Sequence, residues 1–237
     1  MAVYVYAITG ASHPLRLDGI TGVGDPPASL RTVTVGPLGA VISDAPDELR
    51  PKRRDLIAHQ RVQSRLMEDG TVLPLRFGYT APDDDAVREV LRERGAAYEE
   101  RLRALDGCVE YHLKTLQEED FLLRRILEES PVARALNDRI RGGAAGPELP
   151  LQLGELVTHE VQQRQQALAD GIVEALRPHA REQETSRPTG DDFLSVSFLV
   201  DAEHEEAFLT TELDLARRMG EEFKFRLSGP LPPYSFV

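Results

Sequence analysis

His159 and Glu160 stand side by side in a helical stretch and begin the HExxH pattern, in which two histidines one turn apart hold zinc and the glutamate acts as base. Position 163 is Gln, so the second ligand is missing and the pair reads as structural. His13, His59, His112, His179 and His204 are scattered, without paired spacing or cysteine partners, and no metal site is expected of them. The glycines at 19, 22 and 24 run into Asp25-Pro26-Pro27, which cannot open a helix over a pyrophosphate, so they read as a turn cluster. Neither GxxxxGK[ST] nor GxSxG occurs. Cys108 falls on the wet side of a strand with no basic neighbour to make it a thiolate, and reads as a surface thiol. These residues predict no enzyme, no cofactor and no metal.

The charged residues speak of partners instead. The 237 residues carry 28 Lys and Arg against 40 Asp and Glu, a net charge of −12, which argues against nucleic acid as the main partner. Against that background Arg50, Lys52, Arg53, Arg54, Arg61 and Arg65 form one basic stretch. They read either as a solvated face or as a docking face for something acidic. Arg76, inside an apolar run, is expected either to face solvent or to make a fixed ion pair.

A chain of this length favours two modest domains over one large one. Its 41% apolar and 29% charged residues suit a globular protein. One cysteine calls for no oxidising compartment, and no stretch is long enough to cross a bilayer, so a cytoplasmic location and no membrane are expected.

Residues 3–8 (VYVYAI) form a buried strand by pattern, followed by a Gly/Pro/Asp-rich loop and a hairpin of 30–36 with 39–44. A helix over 52–68 is expected to bury Leu56, Ile57, Val62 and Leu66, with Gly70 as a left-handed C-cap. Alternation of Leu73, Leu75, Phe77 and Tyr79 predicts a strand in which Pro74 marks a sheet margin or a bulge. One helix then runs from Asp83 to Leu105. In the second half Val109, Tyr111 and Leu113, then Leu194, Val196 and Phe198, then Phe223, Phe225 and Leu227 alternate with polar residues, predicting one packed and one wet sheet face. Helices over 149–178 and 203–220, the latter burying Leu209, Leu213, Ala216 and Met219, and a weak strand near 182–188 complete a ferredoxin-like βαββαβ order with a helical insertion at 118–140. Gly142 to Pro147 reads as a loop. The expected class is α+β: an N-terminal α+β domain over 1–106, a ferredoxin-like domain over 107–229, and an extended tail over 230–237. In that tail Pro230, Pro232 and Pro233 stiffen the backbone toward polyproline II, and Tyr234 and Phe236 offer apolar groups for docking. On composition the tail packs on its own fold or fills a partner's groove.

The opening YVYAI, the segment VLPLRFGY after a helix containing His59, LDGCVEYHLK, FLVD and the closing GPLPPYSFV occur in an order that resembles the GvpF/GvpL family of gas vesicle proteins over nearly the whole chain. LPLRFG and GPLPPYSFV are the specific segments. Tyr79 departs from the small polar residue often found after RFG, and Leu231 from a common aromatic. The resemblance implies two α+β domains, the second ferredoxin-like. It also implies an accessory or minor component of gas vesicles that binds the hydrophobic major shell protein and helps nucleate or assemble the shell, with other accessory proteins as further partners, and no catalysis. The basic helix, led by Arg53, Arg54, Arg61 and Arg65, is the expected contact, and the tail is expected to lock onto its own body first. The rival readings are a small-ligand binder or enzyme with polar groups converging near Arg76, His59 and Glu110, and a module that self-associates through the wet face at Cys108, His112, Ser195 and Ser197.

Overall fold

The structure is a computed structural model describing residues 1–143 and 146–237; the loop predicted at Gly142 to Pro147 is described only at its ends, residues 144 and 145 lying outside the described residues. The chain divides into two compact units, one comprising Met1–Tyr111, Leu199–Ala202 and Gly229–Val237, the other His112–Phe198 and Glu203–Ser228.

The first unit holds β1 (Val3–Gly10), β2 (Arg31–Val35), β3 (Leu38–Asp44), α1 (Arg53–Asp69), β4 (Val72–Pro74), β5 (Thr80–Ala81), α2 (Asp84–Glu93) and α3 (Gly95–Ala104). Its sheet runs β2-β3-β1-β4, with β5 also on β1, and every pairing is antiparallel. β1 is buried on both faces, and a bulge between Val5 and Ala7 shifts its register against β3. The extra residue changes which face later side chains reach. Val3, Val5 and Ile8 therefore share the core that contains Val87 and Leu91 of α2, while Tyr4, Tyr6 and Ala7 share the other, with Val62 and Leu66 of α1.

The rest of the chain forms β6 (Cys108–Gln117), α4 (Glu119–Glu129), α5 (Pro131–Arg141), α6 (Glu148–Leu176), β7 (Glu182–Thr185), β8 (Asp192–Asp201), α7 (Glu205–Met219) and β9 (Phe223–Leu231). The sheet order β7-β8-β6-β9 sets the third of these strands beside the first. Between β6 and α6, the inserted α4 and α5 bury Leu122, Ile126 and Ala133 against Leu153, Leu156, Val157 and Val161 of α6.

Several local expectations are corrected. The strand predicted to Tyr79 ends at Pro74; Leu75 N–H still reaches Tyr6 O at 2.8 Å, but Gly78, at φ +101°, then turns the chain into β5. The predicted helix over 83–105 breaks at Arg94, and Gly95, a poor helix former, opens α3. Gly70 does end α1 at positive φ, +156°, but with ψ −172° it lies outside the left-handed helical well of the expected cap. Leu56 and Ile57 are exposed because Asp55, His59 and Gln63 take the inner face of α1 along with Val62 and Leu66. On α7 the buried residue is Phe208, against Phe198, and Leu209 and Leu213 face outward. β8 is buried on both faces from Leu194 to Val200; Ser195 and Ser197 are covered, and both reach the ring of His112. The tail is not simply extended: Pro230 and Leu231 still belong to β9, and Tyr234–Phe236 close into a 3-10 turn.

Candidate functional site: a buried aromatic cluster and the clasp of the C-terminal segment

The first unit gathers polar groups in one place, under its own C-terminal segment. Tyr4 and Tyr6 stand on β1, on the α1 face, because the strand alternates up to the bulge. His59 stands on the inner face of α1, stacked on Tyr6 at 5.8 Å and edge-on to Tyr4 and Phe77. Tyr4 Oη lies 2.8 Å from His59 Nδ1 and receives the Gly78 N–H at 3.2 Å. The set is satisfied when Tyr4 donates to Nδ1 and Nε2–H points at the Tyr234 hydroxyl, 3.5 Å away. Burial lowers the His59 pKa to about 4, so the ring is neutral at pH 7. Burial also raises both Tyr4 and Tyr6, and pushes Tyr234 up to about 12 with help from the charge of Glu110. These phenols act as hydrogen-bonding groups, not as bases.

Tyr6 explains the glycine cluster. Its hydroxyl receives the Val23 N–H at 2.8 Å and lies 3.0 Å from Ser43 Oγ, and a Cβ on Gly22 would come within 2.3 Å of it. Gly24 N–H donates to the buried carboxylate of Asp55 at 2.9 Å. The loop is thus fastened to β1 and α1 by main-chain donors. At the bulge a side-chain donor ties α1 to the sheet: the Gln63 amide donates to Tyr6 O, and also to Leu75 O at 3.3 Å.

The C-terminal segment closes this cluster. Pro232, Pro233 and Phe236 are buried, Tyr234 and Ser235 half-buried, and Pro230 exposed. Phe236 enters the core that holds Val5, Ile8, Leu91 and Leu199, and Arg101 Nε donates to its carbonyl oxygen. Glu110, 3% exposed, accepts the Ser235 N–H at 2.8 Å and the Ser235 hydroxyl at 2.7 Å. At the start of the segment, Gly229 leaves no room for a Cβ, which would lie 2.4 Å from the Tyr111 ring. So Tyr234 and Phe236 come together with His59, Glu110 and Arg101, which were not anticipated as tail contacts. Glu110 escaped notice because strand alternation assigned it to the wet face, where Ser235 of the C-terminal segment is hydrogen-bonded to it.

The sequence-predicted basic group divides in two. Arg54 pairs with Asp25 and lies 3.7 Å from Asp55; Arg65 pairs with Glu68 at 2.7 Å and donates to Arg16 O at 2.9 Å; Arg50 lies 3.3 Å from Glu48. Lys52, Arg53 and Arg61 are exposed and, among the described residues, make no ion pair. On the outer face of α1, Arg53 and Arg61 flank Leu56 and Ile57 at helical spacing. Arg76 is exposed, and His59 and Glu110, where a ligand pocket was considered, are occupied by the C-terminal segment. No group of His, Cys, Asp and Glu among the described residues could hold a metal, and no described helix is long and apolar enough to cross a membrane.

The clasp is reached by residues spread from Tyr4 to Phe236, and comparison with known proteins extends over the same range. The family described as gas vesicle synthesis protein GvpL/GvpF matches residues 2–237. Gas vesicle protein F of Streptomyces sp. (strain CB03234) is 43% identical over 238 residues, covering 100% of both chains. Gas vesicle protein L of the same strain is 30% identical, covering 99% of this chain and 92% of that one. The crystal structure of GvpF from Anabaena sp. PCC7120 superimposes with a TM-score of 0.85 over 99% of this chain and 97% of that one at 23% identity, a likeness of fold. GvpF from Microcystis aeruginosa gives a TM-score of 0.79 at 25% identity, covering 99% and 98%. The chain belongs to the GvpL/GvpF family of gas vesicle synthesis proteins.

Proposed function

We propose that this protein is a non-catalytic accessory or minor structural component of gas vesicles that binds the hydrophobic major shell protein and helps nucleate or assemble the shell from the cytoplasm. A subunit that polymerises through apolar surface aggregates unless a soluble partner holds it first. A chain of net charge −12 lends that solubility. The observation that carries the reading is the outer face of α1, where Leu56 and Ile57, 41% and 38% exposed, sit between Arg53 and Arg61, exposed cations without an ion pair among the described residues. Such a face offers apolar contact at its centre and charge selection at its rim. Arg54 and Arg65, already engaged within the chain, serve as its supports. Other gas vesicle proteins are the natural further partners; nucleic acid and membrane are not.

The test is co-purification with the major shell protein. Reversing Arg53 and Arg61 to Glu is expected to weaken capture while leaving thermal stability nearly unchanged, since both side chains are exposed. Capture as strong as with the unaltered chain would remove α1 from the interface.

A further inference from the structure

We infer that copies of this protein associate head to tail, the outer face of α1 in one copy docking on the outer face of α7 in the next. The proposal stands without the shell-protein reading, and where both hold, the two partners compete for α1. Among the described residues, two helices leave paired large apolar side chains uncovered: Leu56 and Ile57 on α1, and Leu209 and Leu213, 37% and 48% exposed, on α7. Their surroundings carry opposite charge. Around the α1 pair stand Lys52, Arg53 and Arg61, exposed and without ion pairs among the described residues. On the N-terminal side of the α7 pair stand Glu206, one turn before Leu209, and Glu203, in the turn that leads into the helix, both exposed and without ion pairs among the described residues; Arg217, one turn after Leu213, lies 3.6 Å from the Asp214 carboxylate.

Net charge of −12 holds copies apart by default, so a stable encounter must bring a basic patch to an acidic one. α1 supplies the exception in sign and α7 the complement, each around an apolar centre that gains from losing water. Because the two patches differ, the contact is heterologous and each copy keeps one patch free, so association continues into a ring or an open chain. One helix face on another lies at the small end of specific interfaces, below about 1,200 Å², so the association is weak and concentration-dependent.

Sedimentation velocity of the full chain over a wide concentration range tests it. The sedimentation coefficient of the unaltered chain is expected to rise with concentration. Arg53→Glu with Arg61→Glu, and separately Glu203→Lys with Glu206→Lys, should each abolish the rise. Mixed in equal amounts, the two variants should form a one-to-one pair, since one retains α7 and the other α1. A chain that stays monomeric throughout, a variant that associates as well as the unaltered protein, or a mixture without a pair would each overturn the proposal. Circular dichroism checks that each variant is folded, and Leu209→Ser, an exposed change without charge reversal, should also lose the rise. The α7 variant must still capture the shell protein, so failure of self-association and failure of shell-protein binding are read separately.

Discussion

The carboxylate of Glu110 holds Ser235 by two hydrogen bonds at once, accepting its main-chain N–H at 2.8 Å and its hydroxyl at 2.7 Å across 125 residues of sequence. A buried carboxylate that receives a backbone donor is worth more than a surface ion pair, because losing it strands the donor out of water. Glu110→Ala is therefore expected to cost about 2–3 kcal/mol, and Glu110→Gln and Ser235→Ala only about 1 kcal/mol each, since each keeps an acceptor for the Ser235 N–H. Urea unfolding measures the order, and amide exchange at Ser235 should rise most in the alanine variant. Equal losses for Gln and Ala at position 110 would mean that charge, not the N–H, sets the interaction.

His59 gives the fold a defined acid sensitivity. Its pKa falls from the ordinary 6.5 to about 4 on burial, so the unfolded chain binds the proton more readily than the folded one. The contribution is fully present above pH 6.5 and is lost as pH falls toward 4. Its size is about 2 kcal/mol at the limit, reduced from the full shift for partial contact with water. Stability measured by urea between neutral pH and pH 5.5 should fall more steeply for the unaltered chain than for His59→Gln, which cannot titrate. Parallel curves would show that the ring is already accessible to protons.

Gly22 and Tyr6 should behave as one unit. A methyl on Gly22 would meet the Tyr6 hydroxyl at 2.3 Å, and that hydroxyl also receives the Val23 N–H. Gly22→Ala is expected to cost about 2 kcal/mol by overpacking. Tyr6→Phe should cost about 1–3 kcal/mol by stranding the N–H. The double variant should lose less than the sum, because removing the hydroxyl makes room for the methyl. Additive losses in thermal or urea unfolding would show that the loop shifts away instead.

Much of the fold was legible because its sheets and helices carry strong periodicity: β1 reads as a buried strand in VYVYAI, and α6 as a long helix. What stayed hidden depends on contacts far away in sequence. Glu110 looked wet because alternation counts only its own strand, and the segment that covers it comes 125 residues later. Leu56 and Ile57 looked buried because apolar spacing outvoted Asp55, His59 and Gln63, each of which is buried at a specific hydrogen-bond partner. Gly22, read only as part of a turn cluster, is needed for the approach to Tyr6. In each case a polar partner elsewhere overrode the local pattern.

The C-terminal segment was expected to lock onto its own body, and its contacts separate stability from binding. Cutting the chain after Gly229 removes Phe236 from the core it shares with Ile8 and Leu199, and leaves Glu110 without Ser235. Phe236→Ala alone should cost about 3–5 kcal/mol through the cavity it leaves, whereas Val237→Ala, at an exposed side chain, should be neutral. The truncated chain should therefore melt well below the full one. The shell-protein capture proposed for α1, scored below the melting point, should persist, because the segment reaches α1 at His59 on the inner face while Arg53, Leu56, Ile57 and Arg61 lie on the outer face. Loss of capture by a still-folded truncated chain would instead place the segment itself in the binding surface.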